Sequence, residues 1–328
     1  MIRSPIVKTP AQMPAPGGLD HLLPSEYSLA KVLPPPKATA TLAAALPPIG
    51  APGAMRSRKC RVFAVVLAVL CLLSISRVVP PECRANITDG LKAYRRGDYG
   101  GAFRKFAPLA ERGNVKAQYY IGYMYLNGEG IRADYNKAFK WLSKAAAKGN
   151  SKALFHLGFM YYTGLGVPCD YTEAARLFSS AAERGEAIAQ FLLGQMYYEG
   201  KGGPPDYAEA VAYFRKAAQG GIAAAQHNLG VIYERGWGGE QSAGEAAKWF
   251  RKAAEKGLAE SQFRIGLMYA EGSGVDRNYV LAYMWLSLAA EQGEENAIAS
   301  RDLLTGKMAA EEVLHAQELT IEWKRSHN

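Results

Sequence analysis

From Asn114 to Gly293 the apolar positions follow the period of helices rather than strands, and the pattern restarts in each half-unit. Val115 to Leu126 places Ala117, Ile121, Met124 and Tyr125 on one face, and Asn136 to Lys148 places Ala138, Leu142, Ala145 and Ala146 on one face. Two such helices joined by a short glycine-bearing linker predict an antiparallel helical hairpin. The whole arrangement then recurs every 36 residues: Gly122, Gly158, Gly194, Gly230 and Gly266 keep that step, as do Tyr125, Tyr161, Tyr197, Tyr233 and Tyr269. Gly128 and Gly130 recur with it, and so do Ala138, Ala145-Ala146 and Gly149. One hairpin cannot bury its own apolar face, so the copies must stack into a solenoid.

The repeated positions have separable physical duties. Gly128 and Gly130 are expected at positive φ where the first helix ends, and Gly149 after the second. Gly122 lacks a Cβ and lets helices approach. Asp134, Asp170, Asp206 and Asn278 stand where the second helix needs an N-cap, with Ser242 as a competent substitute.

At these residues the chain resembles the Sel-one-like repeats, relatives of the tetratricopeptide class with a slightly longer unit. The stretch AQYYIGYMYLNGEGIRADYNKAFKWLSKAAAKG, Ala117 to Gly149, follows that pattern almost position by position, and the resemblance spans residues 89 to 324. It implies an all-α, right-handed α-solenoid of 36-residue helix-turn-helix repeats: a degenerate opening repeat over 86–113, full repeats over 114–149, 150–185, 186–221, 222–257 and 258–293, and capping helices over 294–328. Two departures, Pro204-Pro205 in the third linker and Gly238 to Ala243 in the fourth, predict that those linkers are displaced. For function the resemblance implies a non-enzymatic adaptor or regulator, since exported bacterial members include periplasmic regulators and envelope or host-interaction proteins. The alternative it implies is a β-lactamase-like hydrolase or penicillin-binding activity, as described for disulfide-rich relatives.

The first 85 residues are of another kind. Residues 1–54 hold 11 of the 17 prolines in no regular period and read as a disordered tail. Arg56, Arg58, Lys59 and Arg61 then precede an uncharged run from Val62 to Ser76, closed by Arg77 and Pro80-Pro81. Residues 55–85 read as a signal peptide starting at Met55, or as a single transmembrane anchor over 62–79 if the chain starts at Met1. Both readings export residues 86–328 to the periplasmic side of a bacterial cell envelope, secreted or tethered to the inner membrane by one span. Residues 1–85 also carry 10 Lys/Arg against 3 Asp/Glu, leaving 29 against 27 for the remainder. The repeat body is therefore nearly neutral, which argues against a nucleic-acid partner.

Candidate chemistry is sparse. The four cysteines, Cys60, Cys71, Cys83 and Cys169, include no pair with zinc or redox spacing, so no metal and no disulfide framework is expected. Cys169 falls in a linker column and reads as a solvent-facing thiol. Ser28 and Lys31 form the one S-x-x-K, in the proline-rich tail and without a K-T-G or S-D-N companion. The G-x-G pairs follow helices, lack a third glycine and recur in every unit, so they read as turns and not as a cofactor cradle. His156 and His227 fall at different phases, and no catalytic residue is assigned.

Binding remains, and the period locates it. Positions 119, 123 and 126 share a face of the first helix beside the packing face, and by resemblance to tetratricopeptide repeats that face lines a concave groove. Copied along the solenoid it gives Tyr119, Tyr123, Phe155, Phe159, Tyr162, Phe191, Gln195, Tyr198, His227, Val231, Glu234 and Phe263. Rigid aromatic surface suits an extended peptide or a helix of a partner protein. The 119 column reads equally as core, while columns 123 and 126 vary between copies as a partner-reading surface would.

Overall fold

The computed structural model describes residues 86–327. The proline-rich tail, the apolar run over 62–79, Met55 and the Ser28–Lys31 pair lie outside the described residues. Those described form fourteen helices and no strand. A short opening hairpin, α1 (Ile87–Arg95) and α2 (Tyr99–Glu111), precedes five longer ones: α3 (Val115–Asn127) with α4 (Tyr135–Ala146), α5 (Ser151–Thr163) with α6 (Tyr171–Ala182), α7 (Ala187–Glu199) with α8 (Tyr207–Gln219), α9 (Ala223–Arg235) with α10 (Ala243–Ala254), and α11 (Ala259–Glu271) with α12 (Tyr279–Glu291). Two cap helices close the chain, α13 (Glu295–Thr305) and α14 (Ala310–His327). From α1 to α13 each helix packs chiefly on its chain neighbours, the arrangement of an α-solenoid.

Each linker is built the same way. In the first repeat Gly128 ends α3 in the left-handed region at φ 72°, with its N–H on the Met124 carbonyl. Gly130, at φ 68°, passes so close to the preceding hairpin that a Cβ there would lie 2.6 Å from the Tyr99 carbonyl carbon. The Asp134 N–H then returns to the Tyr125 carbonyl at 2.9 Å, and Asp134 Oδ1 caps α4 by accepting from the Lys137 N–H at 3.0 Å. The third and fourth linkers, expected to be displaced, are not. Asp206 N–H meets the Tyr197 carbonyl at 2.8 Å and Ser242 N–H meets that of Tyr233 at 3.0 Å, as in the regular copies. The closure joins main-chain atoms of the two flanking positions, so Pro204-Pro205 and Gly238-Gly239 vary between fixed ends. Both caps persist, Asp206 on Glu209 at 3.0 Å and Ser242 on Glu245 at 3.3 Å.

Inside each hairpin the glycine column of the first helix meets a large residue of the second: Leu142, Phe178, Phe214, Phe250 and Leu286, all fully buried. A Cβ on Gly230 would stand 2.6 Å from the Phe250 ring, and one on Gly194 2.9 Å from that of Phe214. Between hairpins a second device recurs. Gln118 Nε2 donates to the Ala110 carbonyl of the preceding hairpin at 3.0 Å, and Gln190, Gln226 and Gln262 reach the carbonyls of Ala182, Ala218 and Ala254 at 3.0, 3.3 and 3.2 Å. Leu154 occupies that phase in the second repeat and packs instead.

The cap does not add a sixth hairpin. α13 packs on α12 as the next first helix would, but α14 also lies on α12, with Trp323 edge-to-face on Trp285 at 5.8 Å and Lys324 Nζ 2.9 Å from Glu291. Among the described residues no helix is long and apolar enough to cross a membrane.

Candidate partner-binding groove

The first-helix face divides into three columns with different fates. In the 119 column Phe155 lies 5.9 Å from the Phe178 ring, Phe191 5.9 Å from Phe214, and His227 5.4 Å from Phe250. These rings cover the second helix of their own hairpin. Tyr119, Phe155 and Phe191 are accordingly buried, whereas His227 and Phe263 are half-buried. In the 123 column Phe159 and Gln195 are buried, while Tyr123 and Val231 keep part of their surface. In the 126 column Tyr162 is buried, and Tyr198 and Glu234 are half-buried. The accessible part of the track is thus Tyr123 in the first repeat, Tyr198 in the third, His227, Val231 and Glu234 in the fourth, and Phe263 in the fifth.

The 126 column sits at the joints, where Tyr162 and Tyr198 meet the linker of the following repeat. Lys201 reaches back to Tyr162, its Nζ 2.7 Å from the phenol oxygen and 2.8 Å from Glu199. Gln195 Nε2 completes this cluster on Glu199 at 2.8 Å. Burial opposes the charge of Lys201, but the bonds to Glu199 and Tyr162 outweigh it, and the ammonium is held above its ordinary range. At the next joint Trp237 stacks on Tyr207 at 5.7 Å and leans on Tyr198 at 5.8 Å. Burial, reinforced by Tyr207, pushes the Tyr198 phenol up to about 12. The fourth joint is polar: Glu234 lies 3.6 Å from Arg264.

The two repeat histidines are neutral elements of the packing. Burial draws His156 down to about 3 and His227 down to about 4. His156 Nε2 lies 3.4 Å from the Tyr119 hydroxyl, and His227 Nδ1 lies 2.8 Å from Ser261 Oγ. The serine side of that contact is closed, because Ser261 has no exposed surface. Cys169 is free and exposed. No group of His, Cys, Asp and Glu suited to a metal ion occurs among the described residues.

Lys201, Trp237 and Ser261 are contributors that the columns at 119, 123 and 126 do not include. A signal exists for two of them: Glu129, Leu165, Lys201, Trp237 and Ser273 keep the 36-residue step, but their unlike chemistry reads as exposed linker.

Stacked helical hairpins and a varied first-helix face define a helical-repeat scaffold. The chain belongs to the Sel1 repeat family, whose model matches residues 115–150, 151–186, 187–222, 223–258 and 259–294. It is similar to a Sel1 repeat protein from Oxalobacter formigenes, at 30% identity over 71% of this chain and 98% of that one, with a TM-score of 0.63. It is also similar to a protective antigen present in uropathogenic Escherichia coli strains, at 35% identity over 74% of this chain, with a TM-score of 0.66. The similarity spans 53% of that antigen, about half its length. No curated protein matches the chain. Proteins built from Sel1 repeats are typically protein-interaction scaffolds.

Proposed function

We propose that the solenoid is a non-enzymatic adaptor of the bacterial cell envelope that binds a partner protein or peptide along the first-helix face. The observation that carries this reading is the contrast between columns. Those that build the hairpins are constant in type and buried, whereas the residues still accessible at 123, 126 and 227 differ from repeat to repeat: Tyr123, Tyr198, His227, Val231 and Glu234. A surface that varies on an unvarying frame can read one partner at several points. Tyr198 is the strongest anchor of the set, a large amphipathic ring braced by Tyr207 and Trp237 and so costing little entropy to engage. Envelope placement draws support from the basic flank before Val62 and from the Escherichia coli relative being a protective antigen.

The test pairs binding with stability. Tyr198→Ala and Glu234→Lys should abolish or weaken recovery of a partner from envelope extracts, Glu234→Lys with the melting temperature nearly unchanged and Tyr198→Ala with a loss of about 1 to 2 kcal/mol from its contacts to Tyr207 and Trp237. Leu157→Ala, in the buried face of α5, should lower stability by about 2 to 5 kcal/mol. Full partner recovery by both surface variants would move the binding site off this face. A reporter that is active only after export, fused behind Asn328, checks the placement; activity of a cytoplasm-only reporter instead would refute it.

A further inference from the structure

The closing cap carries most of the exposed large apolar side chains among the described residues. Among the described residues five large apolar side chains are exposed, and four of them, Ile298, Leu303, Leu314 and Ile321, lie on α13 and α14. Leu314 is 60% exposed and Ile321 46%. Seven residues apart on α14, they share a helix face with Glu311, Glu318 and Arg325 at alternating three- and four-residue spacing, and all five are exposed. The opposite face of α14, with Ala316, Thr320 and Trp323, is the one that holds the helix on α12. Ile321 borders the cleft between α14 and α12, beside Tyr283, Ser287 and Glu291, but Leu314 and the charged positions of the stripe stand clear of it. The stripe begins acidic and ends basic, and neither Glu311 nor Arg325 has an ion pair among the described residues.

We propose that this stripe is a self-association surface, on which α14 of a second copy of the chain packs antiparallel to the first. With the two-fold axis at Glu318, Leu314 stands beside Ile321 of the second copy and Glu311 beside its Arg325, and symmetry makes each contact twice. A parallel pairing would set Glu311 against Glu311 and Arg325 against Arg325. Charge order along the helix thus selects the antiparallel arrangement. An 18-residue helix is about 27 Å long, so the contact is small and its dimer reversible. One feature opposes association. The two Glu318 carboxylates meet at the axis, and their repulsion sets the sign of a test that a nonspecific apolar patch would not pass.

The experiment is sedimentation velocity of the full 328-residue chain in a fixed concentration of non-ionic detergent, over a series of protein concentrations, with circular dichroism to verify each fold. A monomer–dimer equilibrium is expected. Leu314→Ala should weaken it about tenfold or more, because burial of a leucine is worth roughly that factor and two are lost per dimer. Glu311→Arg should weaken it, and adding Arg325→Glu to the same chain should restore it. Glu318→Gln should tighten it several-fold. A chain that stays monomeric throughout overturns the proposal, as does a dimer that none of these substitutions moves, since the stripe would then serve a different occupant. A weaker dimer on Glu318→Gln also overturns it, by removing the axis from that residue.

Discussion

Gly230→Ala tests the packing of first helix on second in its sharpest form, because one methyl group is added and nothing is taken away. The new Cβ would stand 2.6 Å from both Cδ1 and Cε1 of Phe250, about 1 Å inside an ordinary carbon–carbon contact. Phe250 has no exposed surface and carries the His227 ring above it, so it has no free direction in which to withdraw. Overpacking of this kind costs about 1 to 3 kcal/mol, while alanine returns about 1 kcal/mol of helix propensity. A net loss of up to about 2 kcal/mol is expected, nearer the upper end because Phe250 cannot withdraw. Two other glycines separate steric from conformational causes. Gly257 has φ 85° and nothing within 4 Å of a Cβ, so Gly257→Ala should cost only the left-handed penalty, about 1 to 2 kcal/mol. Gly274 has φ 70° and its Cβ would fall 2.2 Å from the Ala243 carbonyl oxygen, which is main chain and cannot rotate away. Gly274→Ala should therefore cost about 3 kcal/mol or more, the sum of both effects. Urea unfolding with a constant m-value reads all three. If Gly230→Ala is as stable as the parent or more so, propensity has won, Phe250 yields, and the glycine column is not a packing requirement.

Three further outcomes follow from the joints and the two repeat histidines. Gln226→Ala removes the bond to the Ala218 carbonyl and should cost about 1 kcal/mol in urea unfolding, a modest value because that carbonyl also accepts from the Gly221 N–H. Lys201→Met leaves the Tyr162 hydroxyl and Glu199 without their shared cation and should cost about 1 kcal/mol, read in the same assay; equal stability would show that the cluster contributes no net energy. Below pH 6.5 the unfolded chain takes protons on His156 and His227, while the folded chain refuses them until about 3 and about 4. Stability is therefore fully present above 6.5 and falls as pH is lowered, by about 1.4 kcal/mol per unit for each histidine. His156→Leu with His227→Phe should flatten that profile, and a slope unchanged in the double variant would refute the assignment.

Repetition makes the frame legible in the sequence. Gly122 and its copies form a column at a fixed step, and a column of glycine inside a helix has few causes other than close approach. The caps are equally plain, since Asp134, Asp170, Asp206, Ser242 and Asn278 all carry an oxygen on a short side chain and all cap. The inter-repeat glutamines keep the same step but are harder to recognise, because Leu154 interrupts them. The folding back of α14 onto α12 lies beyond the period altogether. It happens once, and Trp285 differs from its counterparts Trp141 and Trp249 only in what covers it.

How much of the aromatic face stays open depends on the angle between the helices of a hairpin, which no column records. Once Phe178, Phe214 and Phe250 rise against the first helix, the 119 position must cover them: Phe155 and Phe191 become core, and the smaller His227 covers Phe250 while keeping part of its own surface. The 126 position is instead covered from the next repeat to an extent set by one residue: linker Lys201 bonds Tyr162, linker Trp237 leans on Tyr198, and at the fourth joint Arg264 of α11 faces Glu234. The same joint can thus be basic, aromatic or acidic without disturbing the main-chain closure that holds it. A substitution at a joint therefore alters chemistry at the surface and leaves the glycine, cap and glutamine columns to maintain the fold, so the proposed recognition of a partner could change there without loss of the frame.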